Sequence, residues 1–228
     1  MIPMSAKSHL LTPLFIIALF ASGSIAHATL VSITNVTGAN AAIITNTPPN
    51  PIAQDPNDGI LLAWNEVQNF TLTEDLLVDR VFDESASFVE KISNSEYKIK
   101  AGTIVSSHYL QWDPGNGSSA SVSATIELDS QVFAFITEDK NLFASDPFLG
   151  LPGLDYADFK LRGLENGDIT SFNGPNVDIN WSAGSPGDWT RLITAFSPTA
   201  VIPEPSTVAL AGLGLLGGFL FWRKQRKA

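Results

Sequence analysis

At 228 residues with no cysteine, the chain is long enough to bury one hydrophobic core but closes no disulfide and builds no structural zinc site of the Cys/His kind. Thirteen Lys and Arg stand against 23 Asp and Glu, a net charge of −10. That balance argues against a basic groove for nucleic-acid phosphates.

Residues 1–28 read as a signal peptide helix. Lys7 supplies the positive start, Leu10 to Phe20 the apolar core, and Ala26-His27-Ala28 an A-x-A cleavage site with Ala26 and Ala28 as its small residues. The alternative is an uncleaved anchor, but the apolar core is shorter than a comfortable span. Cleavage after Ala28 removes His9 and His27, so His108 alone remains, and neither a His₃ nor a His₂Glu metal site can be assembled. Between Thr29 and Pro205 eight basic residues face all 23 acidic ones, so the exported part carries −15. Such acidity favours solubility or divalent cations.

Residues 29–200 form the expected exported body, mainly β. Leu30 to Val36 predicts an edge strand, followed by a long surface loop through Thr47-Pro48-Pro49-Asn50-Pro51. Gln54 to Gly59 is a turn cluster with many oxygen atoms, but without EF-hand spacing, so a plain turn competes with a calcium loop. Short runs follow at Ile60 to Val67 and Phe70 to Leu72, while Glu74 to Phe82 suits either helix or strand. Tyr97 to Trp112 predicts one long strand region, closed by the turn Asp113-Pro114-Gly115-Asn116-Gly117. From Ser121 to Asp129 the period of two is cleanest: Val122, Ala124, Ile126 and Leu128 share one face, and Ser, Thr and acidic residues the other. Val132 to Ile136 is apolar on both faces and predicts a covered, central strand. Asp146 to Tyr156 reads as a loop, and Ile169 to Phe172, Val177 to Trp181 and Trp189 to Phe196 as strands. No stretch predicts a long helix. Many short strands with frequent turns give a single antiparallel β-sandwich, jelly-roll-like, as the expected fold.

Three groups of side chains suggest chemistry. Ser106-Ser107-His108 offers a hydroxyl beside a base, yet adjacent strand residues point to opposite faces and no G-x-S-x-G elbow is present. His108, Tyr109 and Trp112 mix aromatic faces with hydrogen-bonding groups, as glycan-contacting surfaces do; a core strand with satisfied polar tips is the competing reading. Asp146, Asp155 and Asp158 flank a Pro/Gly-rich loop and are candidate calcium ligands, against a solvated acidic loop. Paired carboxylates for glycoside hydrolysis carry little information among so many acids. No catalytic constellation is visible, and no cofactor other than calcium is suggested.

The tail, residues 201–228, has three parts. Pro203, Glu204 and Pro205 form a rigid turn that no helix can run through. Ser206 to Trp222 is an uncharged apolar run that spans roughly 26 Å as a helix, short but feasible for a bilayer. Arg223, Lys224, Arg226 and Lys227 then stop it and, by their charge, place the C-terminus in the cytoplasm. Val201 to Thr207, the Gly/Leu-rich span and Trp222-Arg223-Lys224 together resemble the PEP-CTERM sorting signal of bacteria with two membranes that make exopolysaccharide. The resemblance implies recognition and cleavage near Pro203, Glu204 and Pro205 by exosortase, an integral-membrane enzyme. It also implies a transient stay in the inner membrane and delivery to the cell surface or extracellular matrix. A second resemblance covers Gly102 to Thr194. It rests on Ser107-His108-Tyr109, Ser145-Asp146-Pro147 and Gly187-Asp188-Trp189-Thr190-Arg191, which look like a domain recurring in proteins with this tail, and it implies no activity. The expectation is a non-enzymatic structural or adhesive surface protein associated with exopolysaccharide or biofilm matrix. A carbohydrate- or calcium-binding module is the alternative, followed by a glycan-active enzyme.

Overall fold

The computed structural model describes residues 30–198 apart from 116–118, 158–159, 166 and 185. The expected signal peptide, Asp158 and the sorting tail with its apolar span lie outside the described residues. No helix among the described residues is long and apolar enough to cross a membrane.

The body is mainly β, with antiparallel sheets that do not close into a barrel. An outer sheet has the order β1 (Leu30–Thr37), β10 (Ala120–Leu128), β13 (Asn176–Ala183) and β12 (Ile169–Asn173). β10 keeps the alternation read from its sequence: Val122, Ala124, Ile126 and Leu128 are buried, while Ser121 and Glu127 face out. β13 repeats it with Val177, Ile179, Trp181 and Ala183 inward. On the outward face polar side chains pair across strands, as in Thr125 Oγ1 to Asp178 Oδ1 at 2.7 Å and Ser32 Oγ to Glu127 Oε2 at 2.9 Å.

The middle sheet runs β2 (Ala41–Ile44), β3 (Ile60–Asn65), β9 (Ile104–Trp112), β14 (Asp188–Thr194), β11 (Val132–Ile136) and β6 (Arg80–Val81), with β4 (Phe70–Thr71) pairing the start of β9. Only β2 and β3 are parallel among its pairs. Every residue of β14 is buried, and every residue of β9 after Ile104. A strand buried throughout needs cover on both faces. One face packs on the outer sheet through Leu61, Leu110, Trp112, Phe135 and Leu192 against Val122, Ile126, Ile179 and Trp181. The other packs Trp64, Tyr109, Ile136, Trp189 and Ile193 beneath a third layer, made of β5 (Leu76–Val78), β8 (Glu96–Ile99), β7 (Val89–Ser93) and the helix α1 (Asp139–Leu149). A third layer thus extends the expected two-sheet body.

Elements differ from their sequence reading: β2 occupies the start of the expected surface loop and pairs parallel with β3, and two further differences have a visible cause. The stretch Tyr97 to Trp112 is not one strand: it breaks after Ile99, where Gly102 takes φ 86°. There the Leu72 carbonyl accepts from the Gly102 amide at 2.8 Å and Asp75 Oδ1 from the Ala101 amide at 3.1 Å. The turn sends β8 to the third layer and β9 to the middle sheet. The second difference is α1, which occupies residues expected to be without helix and includes the start of the expected loop. Its beginning is fixed from a distance. Asp79 Oδ2 accepts from the Thr137 and Glu138 amides at 2.6 and 2.8 Å, and Oδ1 from Asn141 Nδ2 at 2.6 Å. Pro147 sits in the last turn, a position that reads in the sequence as a helix breaker.

Candidate functional site

Cross-strand register sets Trp64 beside Tyr109, and Tyr109 beside Arg191, on the face of the middle sheet that meets α1. A guanidinium in that apolar row needs a partner for every N–H. Glu66, just after β3, takes two: Arg191 Nε to Oε2 and Nη2 to Oε1, both at 2.7 Å. The helix supplies the others, with Arg191 Nη2 to Asp146 Oδ1 at 2.9 Å, Nη1 to Ser145 Oγ at 2.5 Å and Nη1 to the Leu142 carbonyl at 3.2 Å. All five donors are used. The side chains of Arg191 and Glu66 are both 0% exposed.

A second arginine completes the group. Arg162 donates from Nη1 and Nη2 to both oxygens of Asp146, at 2.6 and 2.7 Å, and from Nε to the Tyr109 hydroxyl at 2.7 Å. Ser107 Oγ donates to Glu66 Oε2 at 2.5 Å, and the Tyr156 hydroxyl donates to Glu66 Oε1 while accepting from the Leu151 amide at 2.8 Å. Both guanidiniums lie over the Tyr109 and Tyr156 rings, 5.2–5.4 Å from the centroids. Burial works against the charge of each arginine, yet the carboxylates outweigh it, and both are held protonated well above the usual range. Burial pushes the Tyr109 hydroxyl up to about 12 and also raises Tyr156, which Glu66 raises further. Two cations and two anions therefore balance inside a largely buried group that ties the middle sheet to α1. Ser107, Tyr109, Ser145, Asp146 and Arg191, which lie in three separated sequence motifs, meet here.

The sequence-predicted site residues fall elsewhere than expected. His108, Tyr109 and Trp112 are each 0% exposed, so none offers a face to a glycan; the core-strand reading is the one the geometry takes. Ser107 turns to Glu66, whereas His108 lies on the opposite face with Nδ1 2.9 Å from Asn65 Oδ1 and Nε2 3.1 Å from Thr194 Oγ1. The adjacent pair is not a nucleophile and its base. Asp146 and Asp155 do border one surface depression with Phe143 and Tyr156. The Asp146 carboxylate, however, is held by two guanidiniums, and Asp155 Oδ1 accepts from the Ala157 amide at 2.9 Å in an exposed turn. A cation at Asp146 would meet two positive charges already in place, which works against calcium there, while Asp158, the third expected ligand, lies outside the described residues. In the 54–59 cluster, Asp58 Oδ1 accepts from the Ile60 amide at 2.8 Å and Asn57 takes φ 51°, as in a plain turn.

Burial pulls the His108 pKa from 6.5 to about 3, against a small upward effect of Asp129. Below pH 6.5 the unfolded chain gains a proton that the fold refuses, so this contribution falls with falling pH by at most about 1.4 kcal/mol per unit. Wild-type protein should therefore lose stability between pH 7 and 4.5 more steeply than His108→Gln, read as urea midpoints. Equal slopes would contradict the buried neutral imidazole.

A different acidic group was not legible as a site. Asp188 opens β14 opposite Trp112 in the β9 register, and Glu165 and Asp168 come from the loop before β12, held there by the Trp189 amide donating to the Gly163 carbonyl at 3.1 Å. One carboxylate oxygen from each of the three lies within 4.8 Å of the others. Gly187 sets the approach, since a Cβ there would stand 2.2 Å from the Trp112 carbonyl oxygen. Asp168 is aimed by the Ser182 and Glu165 amides, which donate to Oδ1 and Oδ2 at 2.7 and 2.8 Å. Asp188 is 0% exposed, and neither of its oxygens has a hydrogen-bond partner among the described residues. Burial, then the charges of Asp168, Glu165 and Asp113, push its carboxyl up to about 8. The only sequence signal was the run Glu165-Asn166-Gly167-Asp168, with acids on both sides of Asn-Gly.

Residues 201–227 match the family model of the PEP-CTERM protein-sorting motif. Comparison with curated proteins and with solved structures returns no match.

Proposed function

We propose that this protein, which bears a PEP-CTERM sorting motif, is a non-enzymatic structural or adhesive component of the cell surface, associated with the exopolysaccharide or biofilm matrix. The observation that carries the reading is the motif itself, which implies processing by exosortase, export, and transient membrane anchoring before surface release. The buried charges support a structural role for the body. Its two internal arginines, Arg162 and Arg191, are neutralised by Asp146 and Glu66 within the fold, where they join layers. The net −15 of the part between Thr29 and Pro205 suits an extracellular, hydrated setting.

The test compares matrix, cell and medium fractions from cells with and without exopolysaccharide synthesis. The matrix fraction should hold most of the protein when polymer is made, and the medium when it is not. An unchanged distribution would contradict matrix association. Turnover of a glycan, lost on changing one carboxylate, would replace the structural reading by an enzymatic one.

A further inference from the structure

We propose that Glu165, Asp168 and Asp188 hold a divalent cation of the calcium type at the end of the middle sheet, where the start of β14 meets the loop before β12. A carboxylate out of contact with water needs donors or a positive charge, because its isolated desolvation costs several kcal/mol or more. Asp188 has neither among the described residues: its oxygens accept no hydrogen bond, and the charges acting on it are those of Asp168, Glu165 and Asp113, all of its own sign. The guanidiniums of Arg162 and Arg191 are engaged by Glu66 and Asp146 instead. Such a group either keeps a proton or gives it up to a cation from solution, and the convergence of two more carboxylates on it favours the cation.

The spacing fits a large, hard ion. Calcium takes oxygen ligands at about 2.3–2.6 Å, so two of them across the ion stand up to about 5 Å apart. The three carboxylate oxygens fall within 4.8 Å of one another. Magnesium, at about 2.0–2.1 Å, demands a tighter and more regular set. The amides of Ser182 and Glu165 fix the Asp168 carboxylate while leaving lone pairs to coordinate, which is the outer-shell support that ligands generally carry. Glu165 is exposed, so the cluster has a solvent side through which an ion enters and water completes its coordination. The set is distinct from Asp146, held by two guanidiniums, and from Asp155, which accepts from the Ala157 amide in an exposed turn. It asks only for millimolar calcium, the range in which extracellular modules operate.

The test uses the full-length chain purified in detergent and stripped with a chelator. Terbium is the first probe, because Trp189 and Trp112 adjoin Asp188 in the strand and its register and can sensitise terbium emission. Emission excited through tryptophan should rise on adding terbium and fall on adding calcium. The thermal midpoint should climb with calcium concentration and respond less to magnesium. Asp188→Asn keeps the shape and should weaken the calcium response by about tenfold or more. Glu165→Gln, an exposed change with little effect on folding, should weaken it too, and Asp155→Asn should leave it intact. No calcium response in the wild-type chain would overturn the proposal. So would a response that survives Glu165→Gln and Asp188→Asn, or one lost with Asp155→Asn alone.

Discussion

Glu66→Gln is expected to lower the unfolding free energy by about 3–5 kcal/mol, among the largest effects of any single replacement in the body. The two Glu66 oxygens receive Arg191 Nε and Nη2, Ser107 Oγ and the Tyr156 hydroxyl. Glutamine retains one of those acceptors and turns an amide donor toward the others. Arg191 would then be a cation at 0% exposure whose nearest remaining anion, Asp146, already serves Arg162. Tyr156→Phe removes only one donor from the same carboxylate and should cost about 1–3 kcal/mol. Combining Glu66→Gln with Arg191→Met should cost less than the sum of the single changes by more than about 1 kcal/mol, since the second change removes the charge the first leaves unpaired. Chemical denaturation of the four proteins measures this coupling. Additive losses, or a Glu66→Gln loss below about 0.5 kcal/mol, would mean that the Glu66–Arg191 ion pair does not hold the buried charge group together.

What was readable in the sequence was what a single strand can report. Ser121 to Asp129 showed its inner face because alternation is local, and Val132 to Ile136 showed its central place because both its faces are apolar. The helix α1 escaped because its beginning is held by Asp79, about sixty residues upstream, and because Pro147 marks a break to any local reading. Tyr97 to Trp112 looked continuous because Ile99, Ala101, Thr103 and Val105 alternate straight through a turn whose cause is the φ of Gly102. His108, Tyr109 and Trp112 resembled a binding face because residue type carries no information about depth, and only the third layer and the outer sheet show that β9 is covered twice. Glu66, Arg162 and Arg191 are scattered along the chain, as are Glu165, Asp168 and Asp188. Their meeting depends on the register of β3, β9 and β14 and on the loop tied by Gly163. The tail, by contrast, needed no fold to be read, because its order of turn, apolar run and cations is linear.

Replacing Pro203, Glu204 and Pro205 together by alanine is expected to shift the protein from the surface and medium almost wholly to the membrane fraction. The substitution leaves the apolar run Ser206 to Trp222 and the basic stop Arg223, Lys224, Arg226 and Lys227 intact, so insertion and retention persist. What is lost is the Pro-Glu-Pro sequence offered for recognition, since alanine removes the two fixed φ angles and the carboxylate. The effect is on location, since the described body, residues 30–198, ends before the substituted positions. Intact mass tests the claim most directly. Surface protein from wild-type cells should lack the residues that follow the Pro-Glu-Pro region, while the triple variant, and wild-type protein from cells without exosortase, should keep Ala228. Surface protein that retains Ala228 in wild-type cells, with the same mass when exosortase is missing, would contradict the account.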